Sequence, residues 1–492
     1  MRRTKILATV GPATDRVERM QRLIEAGADA LRLNFSHGTD EEHRSLLRFA
    51  REAARRAGRE IALVGDVQGP KIRIGELSGG SARLTRGMPW ILDQRPEPGD
   101  LHRVGIQIPA IGRAARSGDP VLLGDGSVSL EVTRVRSDRL DTRVVNGGTV
   151  NSHAGLFLPR AHLRTSVLAE KDRHDAAVGV AEGIDYLALS FVRDADDLRE
   201  ARRWLDGRPN GAKVGLIAKI ERAEALQGID EILSVTDGLM VARGDLGIEV
   251  PLERLALEQK QLVRRANLAG KFAIVATQML LSMVSSPRPT RAEATDVANA
   301  VLDGADAVML SEESAVGQYP VEAVRWLDRI AQATESSFDA RALRAADMGR
   351  DGESERAVAA AAVSLAEGVR ARAIVTPTHS GRTARLVARL RPSCPVVAVS
   401  NLSATRRKLA LVGGVVSLPA PTHRDLVELR TRAAELVARA GVGRAGPVVL
   451  TAGYPVEGRP TNLVTLVDGE GSRRGGVRRA SARSRRSRPP DR

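Results

Sequence analysis

Val214-Gly-Leu-Ile-Ala-Lys-Ile-Glu221 and Gly238-Leu-Met-Val-Ala-Arg-Gly-Asp-Leu-Gly247 are two short apolar runs that each end in charge. Each has the length and composition of a buried strand followed by a polar turn. Side chains two apart on a strand point to the same side, so Lys219 and Glu221 face one site, and Asp245 ends the next strand. An ammonium beside two carboxylates at adjacent strand ends suits a hard divalent cation and an anionic substrate. An ion pair at a strand rim would read the same way in isolation, so the rest of the chain carries the decision.

Six further runs share this character: Lys5–Val10, Ala30–Phe35, Ile61–Val67, Asp185–Phe191, Phe272–Gln278 and Ala307–Ser311. Amphipathic stretches separate them. Val17, Met20, Leu23 and Ile24, for example, make one apolar stripe at helical spacing. Eight strands with helical crossovers predict an α/β fold, a TIM (β/α)8 barrel, with its active site at the C-terminal strand ends.

The third gap breaks the pattern, with more than 100 residues between Val67 and Asp185. Much of it alternates at period two with Gly and Pro punctuation, as in Ser127-Val-Ser-Leu-Glu-Val-Thr133. It reads as a β-barrel lid domain inserted at the active-site end of the barrel. From about Glu353 a small α/β domain follows, with strands at Ala373–Thr376, Val396–Ser400 and Pro447–Leu450 and a helix from Arg382. The expected layout is a barrel over residues 1–69 and 166–340, a lid over 70–165, a C-terminal α/β domain over 353–470, and a disordered basic tail over 471–492.

That tail holds nine Arg and one Asp, so +8 of the net +15 sits in its 22 residues. The remaining surplus is modest and aromatics are only 2%, which leaves few stacking platforms for single-stranded nucleic acid. No specific nucleic-acid partner is expected. No apolar run approaches the roughly 20 residues needed to cross a bilayer. One cysteine, Cys394, rules out an intramolecular disulfide framework and fits a reducing, cytoplasmic setting.

Other polar clusters fall at the same strand ends. Arg32-Leu-Asn-Phe-Ser-His-Gly38 offers a guanidinium whose planar fork matches phosphate oxygens, and Asn34 and Ser36 supply neutral oxygens. Asp66-Val-Gln-Gly-Pro-Lys-Ile-Arg73 adds an acid, Lys71 and Arg73 where the chain turns into the insertion. Thr277 ends the seventh strand, and Ser311-Glu-Glu-Ser-Ala315 ends the eighth. In the last domain, Thr378-His-Ser-Gly-Arg-Thr383 joins a strand to a helix and could cradle a phosphate. Gly441-Val-Gly-Arg-Ala-Gly446 matches a dinucleotide-binding pattern, but it follows a helix and precedes a strand, the reverse of the required order.

Taken together, Arg-Thr-Lys-Ile-Leu-Ala-Thr-Val-Gly-Pro at 3–12, Arg-Leu-Asn-Phe-Ser-His-Gly, Gln-Gly-Pro-Lys-Ile-Arg, Ala-Lys-Ile-Glu, Ala-Arg-Gly-Asp-Leu-Gly, Ala-Thr-Gln-Met-Leu and Arg-Pro-Thr-Arg-Ala-Glu resemble the pyruvate kinase family over roughly residues 4 to 470. The resemblance implies phosphoryl transfer from phosphoenolpyruvate to ADP, a C-terminal regulatory domain and a homotetramer. By motif, Glu221 and Asp245 would hold magnesium or manganese, and Lys219 would neutralise charge on the transferring group. Arg32 would anchor the substrate phosphate. Gly244, Asp245 and Thr277 would line the carboxylate end. Asn34, Phe35, Ser36, His37 and Arg73 would meet the nucleotide. Thr277, Ser311 and Glu313 would order the water that delivers the proton. Thr378, Ser380, Gly381, Arg382 and Thr383 would take a phosphorylated effector.

Three departures stand out. Ala154-Gly-Leu-Phe-Leu-Pro159 replaces a junction that usually starts with a nucleotide-contacting Lys, and Leu281 stands where Glu is common. Potassium-dependent members hold the ion with residues matching Asn34, Ser36, Asp66 and the Val67 carbonyl, and carry Glu at the position of Lys71. A lysine there would substitute for the ion, so potassium independence is expected. The alternatives are a metal-dependent aldolase or lyase, disfavoured by the lid and C-terminal domain, and a non-catalytic effector-binding relative, disfavoured by intact Arg32, Lys219, Glu221, Asp245 and Thr277.

Overall fold

The computed structural model describes residues 1–70, 72–106, 111–113, 115–124, 126–159, 166–348, 354–420, 426–443, 446–453 and 460–467. Lys71 and the tail over 471–492 lie outside these. Eight parallel strands close into a barrel: β1 Lys5–Val10, β2 Ala30–Asn34, β3 Ala62–Asp66, β4 Tyr186–Leu189, β5 Gly215–Ile220, β6 Gly238–Ala242, β7 Phe272–Ala276 and β8 Ala307–Leu310. Each pairs with its sequence neighbour, and Lys5 opposite Ala307 closes the ring. β3 and β4 pair directly, with Ala188 opposite Asp66, although the insertion separates them in sequence.

The barrel forms because both faces of each strand are apolar. On β1, Ile6 and Ala8 join the layer against the outer helices, where Met20, Leu23 and Leu47 are buried. The intervening Leu7 points inward with Val64, Ile217 and Met240, as the two-residue alternation requires. Helix Asp40–Arg56 starts at a capping box in which Thr39 and Glu42 satisfy each other's backbone N–H groups. Six of the eight strands end one or two residues earlier than their apolar runs suggest. After β7, Thr277 and Gln278 take φ of +69° and +55°, which removes them from the ladder.

The segment inserted after β3 pairs as a six-stranded sheet and a separate two-stranded ladder. Its own core includes Trp90, Leu92, Val121, Leu130 and Leu140. At the other end of the barrel lies a five-stranded sheet in the order Val415–Pro419, Val396–Ser400, Ala373–Pro377, Val448–Ala452, Leu463–Val467. The first and last of these edge strands go beyond the sequence reading. Both are only partly buried, so neither carries a strong apolar signature.

This unit docks on the N-terminal strand ends. Lys5 Nζ donates to the Val415 carbonyl at 2.7 Å, Arg407 pairs with Asp185 at 2.9 Å, and Arg391 pairs with Asp306 at 3.0 Å. The residues filling the barrel belong to the same buried cluster as Val363, Ile374 and Leu409 of this unit. One continuous core therefore runs from the C-terminal sheet into the barrel. No helix among the described residues is long and apolar enough to cross a membrane.

Candidate active site

The C-terminal strand ends surround a cavity of about 900 Å³. Arg32 and Asn34 enter it from β2, Asp66 from β3, and Lys219 and Glu221 from the end of β5. Asp245 lines it from the short helix Arg243–Glu249 after β6, Thr277 and Ser311 from the turns after β7 and β8, and His37 from the turn after β2. Residues far apart in sequence thus meet because every strand runs the same way.

Lys219 is the hub. Its ammonium lies 3.1 Å from Asp66 Oδ1 and 3.0 Å from Glu221 Oε1, and it donates to Ser190 Oγ at 2.5 Å. Burial alone would drive the proton off. The Asp66 and Glu221 carboxylates outweigh that cost and hold the Lys219 pKa above its ordinary value. Asp66 is likewise buried, but Lys219 and Arg32 keep its carboxyl below the usual range. Arg32 Nε lies 2.6 Å from Asp66 Oδ2, and its Nη1 donates to Thr9 Oγ1 at 3.1 Å. Two contacts at different edges of the guanidinium fix its plane.

Glu221 behaves oppositely. Burial raises its carboxyl, Lys219 opposes this, and the negative charges of Asp245 and Asp66 push the same way as burial. Its Oε2 accepts the Phe191 N–H at 2.8 Å, which fixes its rotamer. A buried carboxylate facing others is the environment a divalent cation relieves. Among the described residues, no group of three or more His, Cys, Asp or Glu side chains forms a cage. Glu221 and Asp245 both line the cavity and could hold a hard divalent cation whose remaining ligands are substrate oxygens and water.

Thr277 and Gly244 meet at the adjacent ends of β6 and β7. The Gly244 N–H donates to Thr277 Oγ1 at 2.9 Å, and the hydroxyl donates to the Ala276 carbonyl at 2.6 Å.

Several expected contributors stand back from the cavity. The Phe35 ring is fully buried and packs on His43, so Phe35 itself presents no side chain to the cavity, and Lys171 Nζ donates to its carbonyl at 2.8 Å. The Ser36 N–H donates to Asn34 Oδ1 at 3.2 Å. Glu313 is buried beneath the rim, where its two carboxylate oxygens accept the Leu280 and Ser311 N–H groups at 2.9 and 2.7 Å. It shapes the rim and does not face the cavity, because the short helix after β8 turns it inward. Arg73 sits at the lid hinge and donates to the His153 carbonyl at 3.0 Å. The Val67 carbonyl accepts from Ser190 Oγ at 2.8 Å.

The turn in the C-terminal unit is assembled apart from this cavity. Gly381, at φ +80°, donates its N–H to Thr378 Oγ1 at 2.9 Å. Arg382 Nε pairs with Glu355 at 2.6 Å, and the Thr383 and Thr461 hydroxyls meet at 2.6 Å. Ser380 Oγ accepts the Arg382 N–H at 3.4 Å.

Sequence reasoning passed over Thr9, Ser190 and Arg243, which all belong to this site. Each is a polar residue within two positions of the end of an apolar strand, the same signal that marks Arg32 and Lys219. A full roll of polar strand-end residues would have included them.

The barrel and C-terminal regions match the family models described as "Pyruvate kinase, barrel domain", over residues 1–324, and "Pyruvate kinase, alpha/beta domain", over residues 356–467. The chain is 42% identical over 473 residues to the pyruvate kinase of Geobacillus stearothermophilus, covering 94% of this chain and 80% of that one. It is 41% identical over 469 residues to that of Methylorubrum extorquens, covering 94% and 97%. A crystal structure of a pyruvate kinase from Cryptosporidium parvum superposes with a TM-score of 0.90 at 34% identity, covering 95% of this chain and 96% of that one. With both models matched and these relatives spanning nearly its whole length, the chain belongs to the pyruvate kinase family.

Proposed function

We propose that this chain moves the phosphoryl group of phosphoenolpyruvate to ADP, giving ATP and, once the enolate takes a proton at its methylene carbon, pyruvate. The observation that carries this reading is the Lys219 ammonium, bracketed by Asp66 and Glu221 beside Arg32 at the barrel mouth. Phosphoryl transfer asks the protein mainly for position and positive charge. Arg32, fixed by Asp66 and Thr9, presents its fork to the substrate phosphate. Lys219, held cationic by its two carboxylates, faces the oxygens that gather charge as the bond to the enol oxygen lengthens. A divalent ion held by Glu221 and Asp245 would supply Lewis-acid polarisation of those oxygens. The Gly244 segment, with Asp245 and the Thr277 hydroxyl, receives the substrate carboxylate. Thr277 and Ser311 order the water through which the proton arrives, and Glu313 acts by holding the Ser311 backbone. Asn34, Phe35, Ser36 and His37 offer the turn that meets ADP, with Arg73 approaching from the lid hinge.

The finer assignments belong to the same proposal. The ion is magnesium or manganese, and potassium is not required. The Thr378–Thr383 turn takes a phosphorylated metabolite that regulates the enzyme, which works as a cytoplasmic homotetramer. The barrel takes residues 1–69 and 166–340, the lid 70–165 and the regulatory unit 353–470. Pyruvate release from phosphoenolpyruvate, followed with and without ADP, tests the function. Release that depends on ADP and is matched by ATP supports it. ADP-independent release, or none, overturns it.

A further inference from the structure

Thr277 and Gln278 stand at φ of +69° and +55°. Two successive left-handed residues without glycine are unusual, and a β-branched threonine there is a true outlier. Such backbone persists only where its surroundings hold it. Here one side chain does most of the holding. Arg243 Nη2 donates to the Thr277 carbonyl at 2.6 Å, and Arg243 Nε donates to the Ala276 carbonyl at 3.2 Å. At the far edge, Nη1 lies 2.7 Å from Asp296 Oδ1 on helix Arg291–Leu302. The guanidinium is mostly buried, and its fork bridges the end of β7 to the helix that follows. It sits behind Thr277 and does not line the cavity.

We propose that Arg243, tethered by Asp296, is a positioning residue for Thr277: it holds the strained turn so that the Thr277 hydroxyl meets the Gly244 N–H of the adjacent strand end. Without this clamp, the backbone relaxes toward ordinary φ values and the hydroxyl swings out of register with the substrate. A simple core ion pair would lower stability without acting through Thr277. The inference rests on the phosphoryl-transfer reading of the site.

A double-mutant cycle decides it, with steady-state kinetics on phosphoenolpyruvate and ADP and a thermal melt of each variant. Thr277→Ala and Arg243→Gln are each expected to lower kcat at least about tenfold, with KM for phosphoenolpyruvate within about threefold of the parent. The double variant is expected within about twofold of the worse single, because both remove the same aligned hydroxyl. Asp296→Asn, which loosens the tether at its more exposed end, gives a smaller kcat loss that also vanishes in the Thr277→Ala background, and it serves alone if Arg243→Gln does not fold. Multiplying losses, an effect confined to KM or melting temperature, or full activity in Thr277→Ala with impaired Arg243→Gln would each overturn the inference while leaving the reaction assignment intact. A parent enzyme that makes no pyruvate removes that assignment and the inference with it.

Discussion

The ammonium of Lys219 lies 3.0 Å from the carboxylate of Glu221, two residues further along the chain at the end of β5. Both groups are almost fully buried. Lys219 is stabilised as a cation, whereas burial first, and then the negative charges of Asp245 and Asp66, raise the Glu221 carboxyl against the pull of Lys219. The pair thus fixes one positive charge at the cavity and leaves a buried carboxylate whose environment a divalent ion would relieve.

Asp245→Ala should therefore abolish turnover at ordinary magnesium concentrations while leaving the fold intact, because Asp245 lies at the cavity rim and outside the barrel core. Manganese or magnesium binding, followed by titration calorimetry in the presence of phosphoenolpyruvate, should weaken in parallel. A variant that turns over at close to the parent rate would remove Asp245 from the metal.

Lys219→Met should cost far more in kcat than in substrate affinity, since the ammonium matters most where charge develops. Losing about three to four powers of ten in kcat would correspond to about 4–5.5 kcal/mol of transition-state stabilisation. An unchanged kcat with a raised KM for phosphoenolpyruvate would instead assign Lys219 a uniform binding role.

The barrel was legible in the sequence because both faces of its strands are buried, so the runs at Lys5–Val10 and Gly238–Ala242 stand out as unbroken apolar segments. Lys219, Glu221 and Arg32 were legible because each is a charge at or near the end of such a run, and the same pattern recurs at several strand ends. Ser190 was not, because a serine at a strand end is commonplace until the fold sets its hydroxyl 2.5 Å from Lys219. Glu313 shows the converse. Its position after β8 suggests a place in the cavity, and only the direction of a four-residue helix turns it toward the Leu280 and Ser311 amides.

Asp306→Ala should destabilise the molecule by about 3–5 kcal/mol, the usual result of stripping one partner from a buried charge pair. Asp306 is buried, receives the Ala273 and Gly413 N–H groups at 3.0 and 2.9 Å, and pairs with Arg391 at 3.0 Å. It therefore ties β7 and the C-terminal sheet to the base of the barrel. A calorimetric melt should show a lowered transition. An unchanged melt would mean that the junction is carried by its apolar core alone.

Replacing Ser380 and Thr383 together by Ala should blunt the response to a phosphorylated effector without altering kcat at saturating substrate. The turn lies beyond the barrel base from the catalytic mouth, and its hydroxyls are already oriented by Arg382 and Thr461. Velocity curves against phosphoenolpyruvate, with and without a sugar phosphate or a nucleoside monophosphate, test this. An equal shift in parent and variant would place the effector elsewhere.

Activity should not need potassium. Three of the four groups that would coordinate it meet the protein's own donors: Asp66 meets Arg32 and Lys219, the Val67 carbonyl meets Ser190, and Asn34 Oδ1 meets the Ser36 N–H. In sequence, Lys71 stands where potassium-dependent relatives carry an acid. A lysine ammonium in place of that acid would supply the positive charge that the ion otherwise brings, and would repel a second cation nearby. Rates in tetramethylammonium or Tris salts at matched ionic strength should equal those in potassium. Lys71→Glu should then create a potassium requirement, by removing the built-in charge and adding a carboxylate. A loss of more than about tenfold on removing potassium from the parent, about 1.4 kcal/mol in the barrier, would show that the cradle holds an ion after all.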